Sequence, residues 1–383
     1  MTTPHLSLVW DERFRAYDFG ADHPFTEQSR ALAVRLLAEL APPTPPGPVA
    51  WVGDVAPASR SVLETFHHGS YLDFVAAAGA SPEPTTLDGG DTPAFPECYE
   101  AAARLVSGAV RGLDLAIERE RPSFHPAGGL HHAHPDRASG FCIFNDVAIA
   151  VGRAVRGHHK VAYIDIDAHH GDGVMYGFYE SGKVLDIDFH QDGRTLFPGT
   201  GFANEIGRGD GSGLKVNVPL PPGAGDEALL PIFRRLVPPL LRSFRPDVVV
   251  LQHGVDGHVG DALAQLQYTP SAYTEVDRTV LDLAKELAHG RLLVTGGGGY
   301  SAESVSRVLA RAGLVLAGIR LPDDWSPVPP AWRTEFHEVT REAAPATWGE
   351  HPEPLPSRWR PHHEAELMTV LETELGRKFP PVD

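Results

Sequence analysis

The run Tyr163-Ile164-Asp165-Ile166-Asp167-Ala168-His169-His170-Gly171-Asp172-Gly173 carries an apolar segment straight into three carboxylates and two imidazoles. An extended backbone sends alternate side chains to one side, so Asp165, Asp167 and His169 share a face, and an Asp and a His from that face suit one metal ion. A third ligand is required. Asp256, in Leu251-Gln252-His253-Gly254-Val255-Asp256 just beyond a second apolar run, is the natural supplier. Two carboxylates and one imidazole leave a position open for water, as in catalytic rather than structural zinc centres. Ligands without thiolate also admit iron or cobalt. A single Asp or His at a strand end is more often a helix cap, but clustered buried acids need partners, which favours the metal. For His170 a structural role, or one supporting the metal ligands, is at least as favoured as ligation.

Two further segments add chemistry. Gly128-Gly129-Leu130-His131-His132-Ala133-His134 precedes Gly140-Phe141-Cys142. In an extended segment neighbouring histidines face opposite ways, so His131 and His132 do not both bind one metal unless the backbone turns. An imidazole backed by a carboxylate, with Asp165 and Asp172 available, can instead take a proton from water and pass one to a leaving amine. Gly296-Gly297-Gly298-Gly299 lets the backbone pass close to a site and brings Tyr300 inward, where its hydroxyl can stabilise an oxyanion. A phosphate loop competes for the same glycines, but the Lys-Ser/Thr of a P-loop is missing.

The elements that must hold these residues read as α/β. Short Val- and Ile-rich runs at 49–52, 161–166, 184–189, 248–251 and 292–295 alternate with stretches of helical period, the pattern of a mainly parallel sheet covered by helices. Continuous apolar runs suit strands buried on both faces. Ala102, Leu105, Ala109, Leu113 and Ala116 recur at helical spacing ahead of Pro122, and Thr269-Pro270 begins another helix that stops before Gly290. Ligands of such sheets sit at the carboxyl ends of the strands, where the segments above fall. The reading is a single catalytic domain over 1–320 and a Pro/Trp/His-rich extension over 321–383 packed on it, apolar again at Ala365 to Leu375. Pro42-Pro43-Thr44-Pro45-Pro46 reads as a stiff surface connection.

With 33 basic and 50 acidic residues the formal charge is −17, which repels phosphate backbones and anionic membranes. Direct binding to nucleic acid or membrane is not expected. Cys98 and Cys142 are the only cysteines, so the expectation is a reduced, cytoplasmic protein without a secretory signal. Nothing in the sequence sets the oligomeric state.

Together these motifs resemble the histone deacetylase superfamily, and Tyr17-Asp18-Phe19-Gly20-Ala21-Asp22-His23-Pro24-Phe25 resembles its bacterial acetoin-utilization branch. The resemblance runs to about Gly318 and implies a single arginase-like α/β domain. It implies zinc on Asp167, His169 and Asp256, His131 paired with Asp165, His132 paired with Asp172, and Tyr300 as the carbonyl-polarising tyrosine. It further implies Phe141 and Phe197 as walls of a channel for lysine methylenes. The Gly140 carbonyl would accept the substrate amide proton, and Asp91 would hold the substrate backbone at the rim. A structural K+ would lie on carbonyls of Asp165, Asp167, His169 and Phe189 with the Asp188 side chain, where relatives usually have a small hydroxyl. Arg30, seven residues after His23, corresponds to an arginine near an acetate exit, and His134 stands where many relatives have lysine. His67-His68 resembles a structural histidine loop. The implied activity is hydrolysis of acetyl-lysine in proteins, on metabolic enzymes such as acetyl-CoA synthetase. An acetylpolyamine amidohydrolase uses the same machinery, and an inactive acyl-lysine binding module is the reading from another class.

Overall fold

The computed structural model describes residues 4–44 and 47–349, and residues 365, 367–369, 371 and 373 beyond them. Among the described residues eight strands form one sheet: β1 (Leu6–Val9), β2 (Val49–Val52), β3 (Ser123–His125), β4 (Val161–Asp165), β5 (Val184–Gln191), β6 (Lys215–Leu220), β7 (Val248–Gln252) and β8 (Leu292–Thr295). Their order is β2-β1-β3-β8-β7-β4-β5-β6, and every pairing is parallel. The helices are α1 (Gln28–Leu40), α2 (Arg60–Leu63), α3 (Gly69–Ala80), α4 (Cys98–Arg119), α5 (Asp146–Arg156), α6 (Asp172–Gly177), α7 (Asp226–Phe244), α8 (Pro270–Leu287), α9 (Ala302–Leu316) and α10 (Pro330–Thr340).

Both faces of the central strands are apolar because both are covered. Val161 and Tyr163 of β4, Val248 and Val250 of β7 and Leu293 of β8 pack against Ala109 and Leu113 of α4 and Val147 and Val151 of α5. The intervening residues Ala162, Ile164, Val249, Leu251, Leu292 and Val294 belong to the larger core on the other face. A fully buried Val or Leu contributes roughly 1.5–3 kcal/mol, so a sheet clothed on both sides is a rigid platform for whatever its strand ends carry.

Strands 49–52, 161–166, 184–189, 248–251 and 292–295 fall where the sequence placed them, with ends moved by at most two residues. Thr269 caps α8 through its hydroxyl, Pro270 opens that helix, and Gly290 follows it with φ +82°. Helix α4 ends at Arg119, before Pro122. Strands β1, β3 and β6 were not legible: two are only three and four residues long, and the third carries Lys215, Asn217 and Pro219.

Of the 42–46 segment, Pro45 and Pro46 lie outside the described residues. After residue 320, Val328, Trp332, Phe336 and Trp348 are buried in the main core, and the Trp332 indole N–H donates to the Leu32 carbonyl at 2.8 Å. The described residues between 365 and 373 are helical, with Met368 and Leu371 buried. Among the described residues no helix is long and apolar enough to cross a membrane.

Candidate active site

Strands β3, β8, β7 and β4 are neighbours, and the chain leaving each of their carboxyl ends contributes to one cavity. It is lined by His131, His132, Gly140, Asp167, Gly298 and Tyr300 among others. The ligand set comes from turns rather than from strand alternation, since β4 ends at Asp165. Asp167, His169 and Asp256 are buried, and one ligand atom from each lies within 4.8 Å of the others. His169 Nδ1 is 2.7 Å from Asp256 Oδ2 and 3.3 Å from Asp167 Oδ1, so one ring nitrogen faces both carboxylates. Burial opposes a charge on His169, but Asp256 and Asp167 outweigh it and lift its pKa to about 10. For Asp256, burial and the charge of Asp167 push the pKa up to about 8. A divalent cation at this point would neutralise both acids and displace the His169 proton, so the donor set fits a metal ion.

Backbone fixes these ligands. Asp256 Oδ1 accepts from Ala168 N at 2.7 Å, and Asp167 Oδ2 accepts from Gly298 N at 2.7 Å and from the Gln252 amide at 2.8 Å. Gln252 was passed over in the sequence, although it ends β7 and lies between Asp167 and the Gly129 carbonyl, which its amide reaches at 3.1 Å. Its place at a strand end beside Asp256 was the available signal. Arg30 is buried and donates to the carbonyls of Gly297, Gly299 and Thr26, its guanidinium 4.6 Å above Phe25. It props the glycine turn that delivers Tyr300.

His131 and His132 converge, because the backbone turns at Gly129, with φ +101°, and Asp146 accepts from the N–H groups of Gly129 and Leu130. His131 Nδ1 lies 2.8 Å from Asp165 Oδ2, His132 Nδ1 lies 2.7 Å from Asp172 Oδ1, and the two Nε2 atoms are 3.1 Å apart. Carboxylates only accept, so both Nδ1 atoms carry protons. The facing Nε2 atoms would then be two lone pairs unless one is protonated. Burial disfavours the charged ring at His131, yet Asp165 and Asp167 lift its pKa to about 10. Burial and then the charge of His131 hold His132 down to about 4 despite Asp172. One proton therefore lies between the rings, resting on His131 Nε2, and His132 is the neutral ring whose Nε2 accepts it. Asp165 is also held by the Tyr163 hydroxyl and by Asp167 N at 3.0 Å.

Tyr300 is partly buried, its ring 6.3 Å from that of His169 and 5.9 Å from that of Phe141. Phe197 is 46% exposed at the mouth, its ring 5.2 Å from that of His132. A Cβ on Gly140 would meet His132 at 2.6 Å and Phe197 at 2.8 Å, so that glycine lets the two approach. Phe141 follows with φ +66°, a conformation costly for a side-chain-bearing residue. Tyr17 Oη donates to its carbonyl at 2.6 Å, and its N–H donates to Thr92 Oγ1 at 3.0 Å. Thr92 links the exposed Asp91 loop to the mouth, and His23 Nε2 meets the Asp91 carbonyl at 3.1 Å. The Gly140 carbonyl already faces Cys142 Sγ at 3.3 Å, a weak donor that leaves it a second lone pair.

His170 points elsewhere, to Thr200 Oγ1 at 2.8 Å, in agreement with a structural role. His67 is likewise structural, its Nδ1 3.0 Å from the His134 carbonyl and its Nε2 accepting from Asn145 N. Asp188 is already engaged: Oδ1 lies 2.6 Å from His190 Nδ1 and Oδ2 accepts from Gly171 N at 2.8 Å. His190 Nε2 in turn reaches the Gly201 carbonyl at 2.8 Å. With an acceptor at each nitrogen the ring is held as imidazolium, so Asp188 has a positive partner, and its side chain suits a potassium ion less well than the neighbouring carbonyls do.

Acids, bases and a triad able to hold a metal ion around one cavity on a doubly covered parallel sheet are the equipment of a metal-dependent hydrolase. The family model for the histone deacetylase domain matches residues 23–316. The acetoin utilization protein AcuC of Bacillus subtilis (strain 168) is 34% identical over 357 residues, 90% of this chain and 89% of that protein. AcuC of Staphylococcus xylosus is 33% identical over 356 residues, 90% of each chain. The chain belongs to the histone deacetylase family, and is accordingly a deacetylase, a hydrolase of amide bonds.

Proposed function

We propose that the protein is a zinc-dependent lysine deacetylase that converts acetyl-lysine in proteins to lysine and acetate. The observation that carries this reading is the His132–Asp172 pair beside the Asp167-His169-Asp256 triad, with the Phe197 ring 5.2 Å from that of His132 and the Phe141 ring 5.9 Å from that of Tyr300. Aromatic walls receive the lysine methylenes, Asp91 holds the substrate backbone, and the Gly140 carbonyl accepts the amide N–H.

When bound, zinc supplies Lewis-acid polarisation of the acetyl carbonyl and acidifies a water molecule. His132, with Nδ1–H on Asp172 and an unprotonated Nε2 that accepts from His131 Nε2–H, takes the proton of the attacking water as that hydrogen bond gives way. Tyr300 donates its hydroxyl to the oxygen that becomes negative. His132 then returns the proton to the lysine nitrogen as the C–N bond breaks, and His131, oriented by Asp165, keeps a positive potential beside it. Iron is compatible with the same ligands. Potassium, if held, rests on the carbonyls of Asp165, Asp167, His169 and Phe189, and no step depends on it.

The acetylated partner in this reading is a metabolic enzyme such as acetyl-CoA synthetase, and the acetoin utilization named for the AcuC relatives supports a metabolic role. Residues 1–320 form the catalytic unit in this reading and 321–383 an extension on it, supported by the burial of Trp332 and Trp348. The free, buried Cys98 and Cys142 support a reducing cytoplasmic setting. The test is acetate release by the zinc-loaded protein from an acetyl-lysine peptide and from an acetylated polyamine, with Asp256→Ala as control. Faster, Asp256-dependent release from the peptide is expected. Preference for the polyamine would make the protein an acetylpolyamine amidohydrolase, and no release from either would leave an acyl-lysine binding module.

A further inference from the structure

Asp172 has a second imidazole on it. His134 Nε2 lies 2.9 Å from Asp172 Oδ2, while His132 Nδ1 lies 2.7 Å from Oδ1. All three side chains are close to fully buried. A carboxylate held by one oxygen can still swing about its last torsion. Hydrogen bonds to both oxygens from two rings fix its plane.

His134 is itself rigidly mounted. Its N–H donates to the Arg137 carbonyl at 3.0 Å, and its own carbonyl is met by His67 Nδ1 at 3.0 Å. The flanking carbonyls of His131 and Ala133 both accept from the Asn145 amide at 2.9 Å. The line from His67 through His134 to Asp172 ends on the ring that the proposed reaction uses as its base. The His131–Asp165 pair has a parallel device, since Asp167 N donates to Asp165 Oδ1 at 3.0 Å while His131 Nδ1 meets Oδ2.

We propose that His134 is a positioning residue: by holding Oδ2 of Asp172 it keeps Oδ1 on His132 Nδ1, so that His132 stays in one tautomer with Nε2 toward the substrate. This rests on His132 being the base. Outer hydrogen-bond partners of metal-ligating histidines are worth about 10–100-fold in metal affinity or activity, and the low end of that scale is taken for His134, which acts through Asp172.

His134→Phe should lower kcat on an acetyl-lysine peptide by about tenfold with KM within twofold, and His134→Gln, whose amide can still donate to Asp172, should restore it to within about threefold. Spectra of 15N-histidine-labelled protein give a readout without turnover: His132 is expected as a fixed Nδ1–H form in wild type and the Gln variant, and exchange-broadened in the Phe variant. Unchanged kcat and unchanged His132 signals in His134→Phe would overturn the proposal, as would a Gln variant as poor as Phe with the same loss of Tm, which marks a purely structural residue. Asp172→Asn separates the two failures. If it costs kcat while His134→Phe does not, only the role of His134 falls; if it costs nothing, His132 is not the base.

Discussion

Gly298 has no room for a side chain: a Cβ there would stand 2.0 Å from Asp256 Oδ2 and 3.0 Å from Asp167 Oδ2. Gly254 is as tightly confined, 2.1 Å from Asp167 Oδ2. Gly298→Ala is therefore expected to lower the metal content of purified protein, read by elemental analysis, and acetate release with it, by tenfold or more. Tyr300→Phe makes the opposite split. It should keep the metal and lose roughly a hundredfold in kcat, the usual weight of one oxyanion donor; a near-normal rate would remove Tyr300 from the mechanism. The residue types at 165, 167, 169, 172 and 256 were legible because they are chemical groups following apolar runs, and those at 131, 132 and 300 because adjacent histidines and a tyrosine stand beside clustered glycines. Gln252, Asp146, Asn145 and His134 were not, since an amide or a lone acid looks the same in a sequence whether it braces a site or faces water.

Among the elements, the joint between the histidine turn and α5 bears most directly on the site. Asn145 caps α5 by accepting from Ala148 N at 2.7 Å while its amide holds the His131 and Ala133 carbonyls. His67 bridges the His134 carbonyl and Asn145 N, which requires a neutral ring with one donor and one acceptor. Burial lowers its pKa to about 4 from an ordinary 6.5. The folded state thus binds fewer protons than the unfolded chain, so the stabilisation is complete above pH 6.5 and is lost as the pH falls toward 4, by up to about 3 kcal/mol. Urea midpoints measured between pH 7 and 4 should fall less steeply in His67→Gln than in wild type; equal slopes would refute this. Periodicity found the elements with long apolar stripes. It gave no sign of the prolines in α7, Pro231, Pro238 and Pro239, which its burial of Leu229, Phe233, Leu236 and Leu240 outweighs.

At the scale of the molecule, the triad joins the turn after β4 to the turn after β7, and Gly298 N ties in the turn after β8. An ion bound there stabilises the fold by mass action, by about 2.7 kcal/mol at a free concentration one hundred times its Kd. Removal of the metal by a chelator should lower Tm by several degrees, with recovery on adding zinc, and Asp256→Ala should show no such response in calorimetry. A wild-type Tm indifferent to chelator would separate the triad from metal binding.

The sequence by itself determined the α/β class, the central strands, the metal-binding residue types and the membership that its motifs imply, because those follow from local periodicity and from chemical groups that cannot be buried without partners. Only the tertiary structure decided which groups meet. Residues on the turns after β3, β4, β7 and β8 are far apart in the chain, and the parallel order of those strands brings them together. Whether His131 and His132 diverge or converge depended on a turn at Gly129, and that turn is held by Asp146, whose role no local pattern announces.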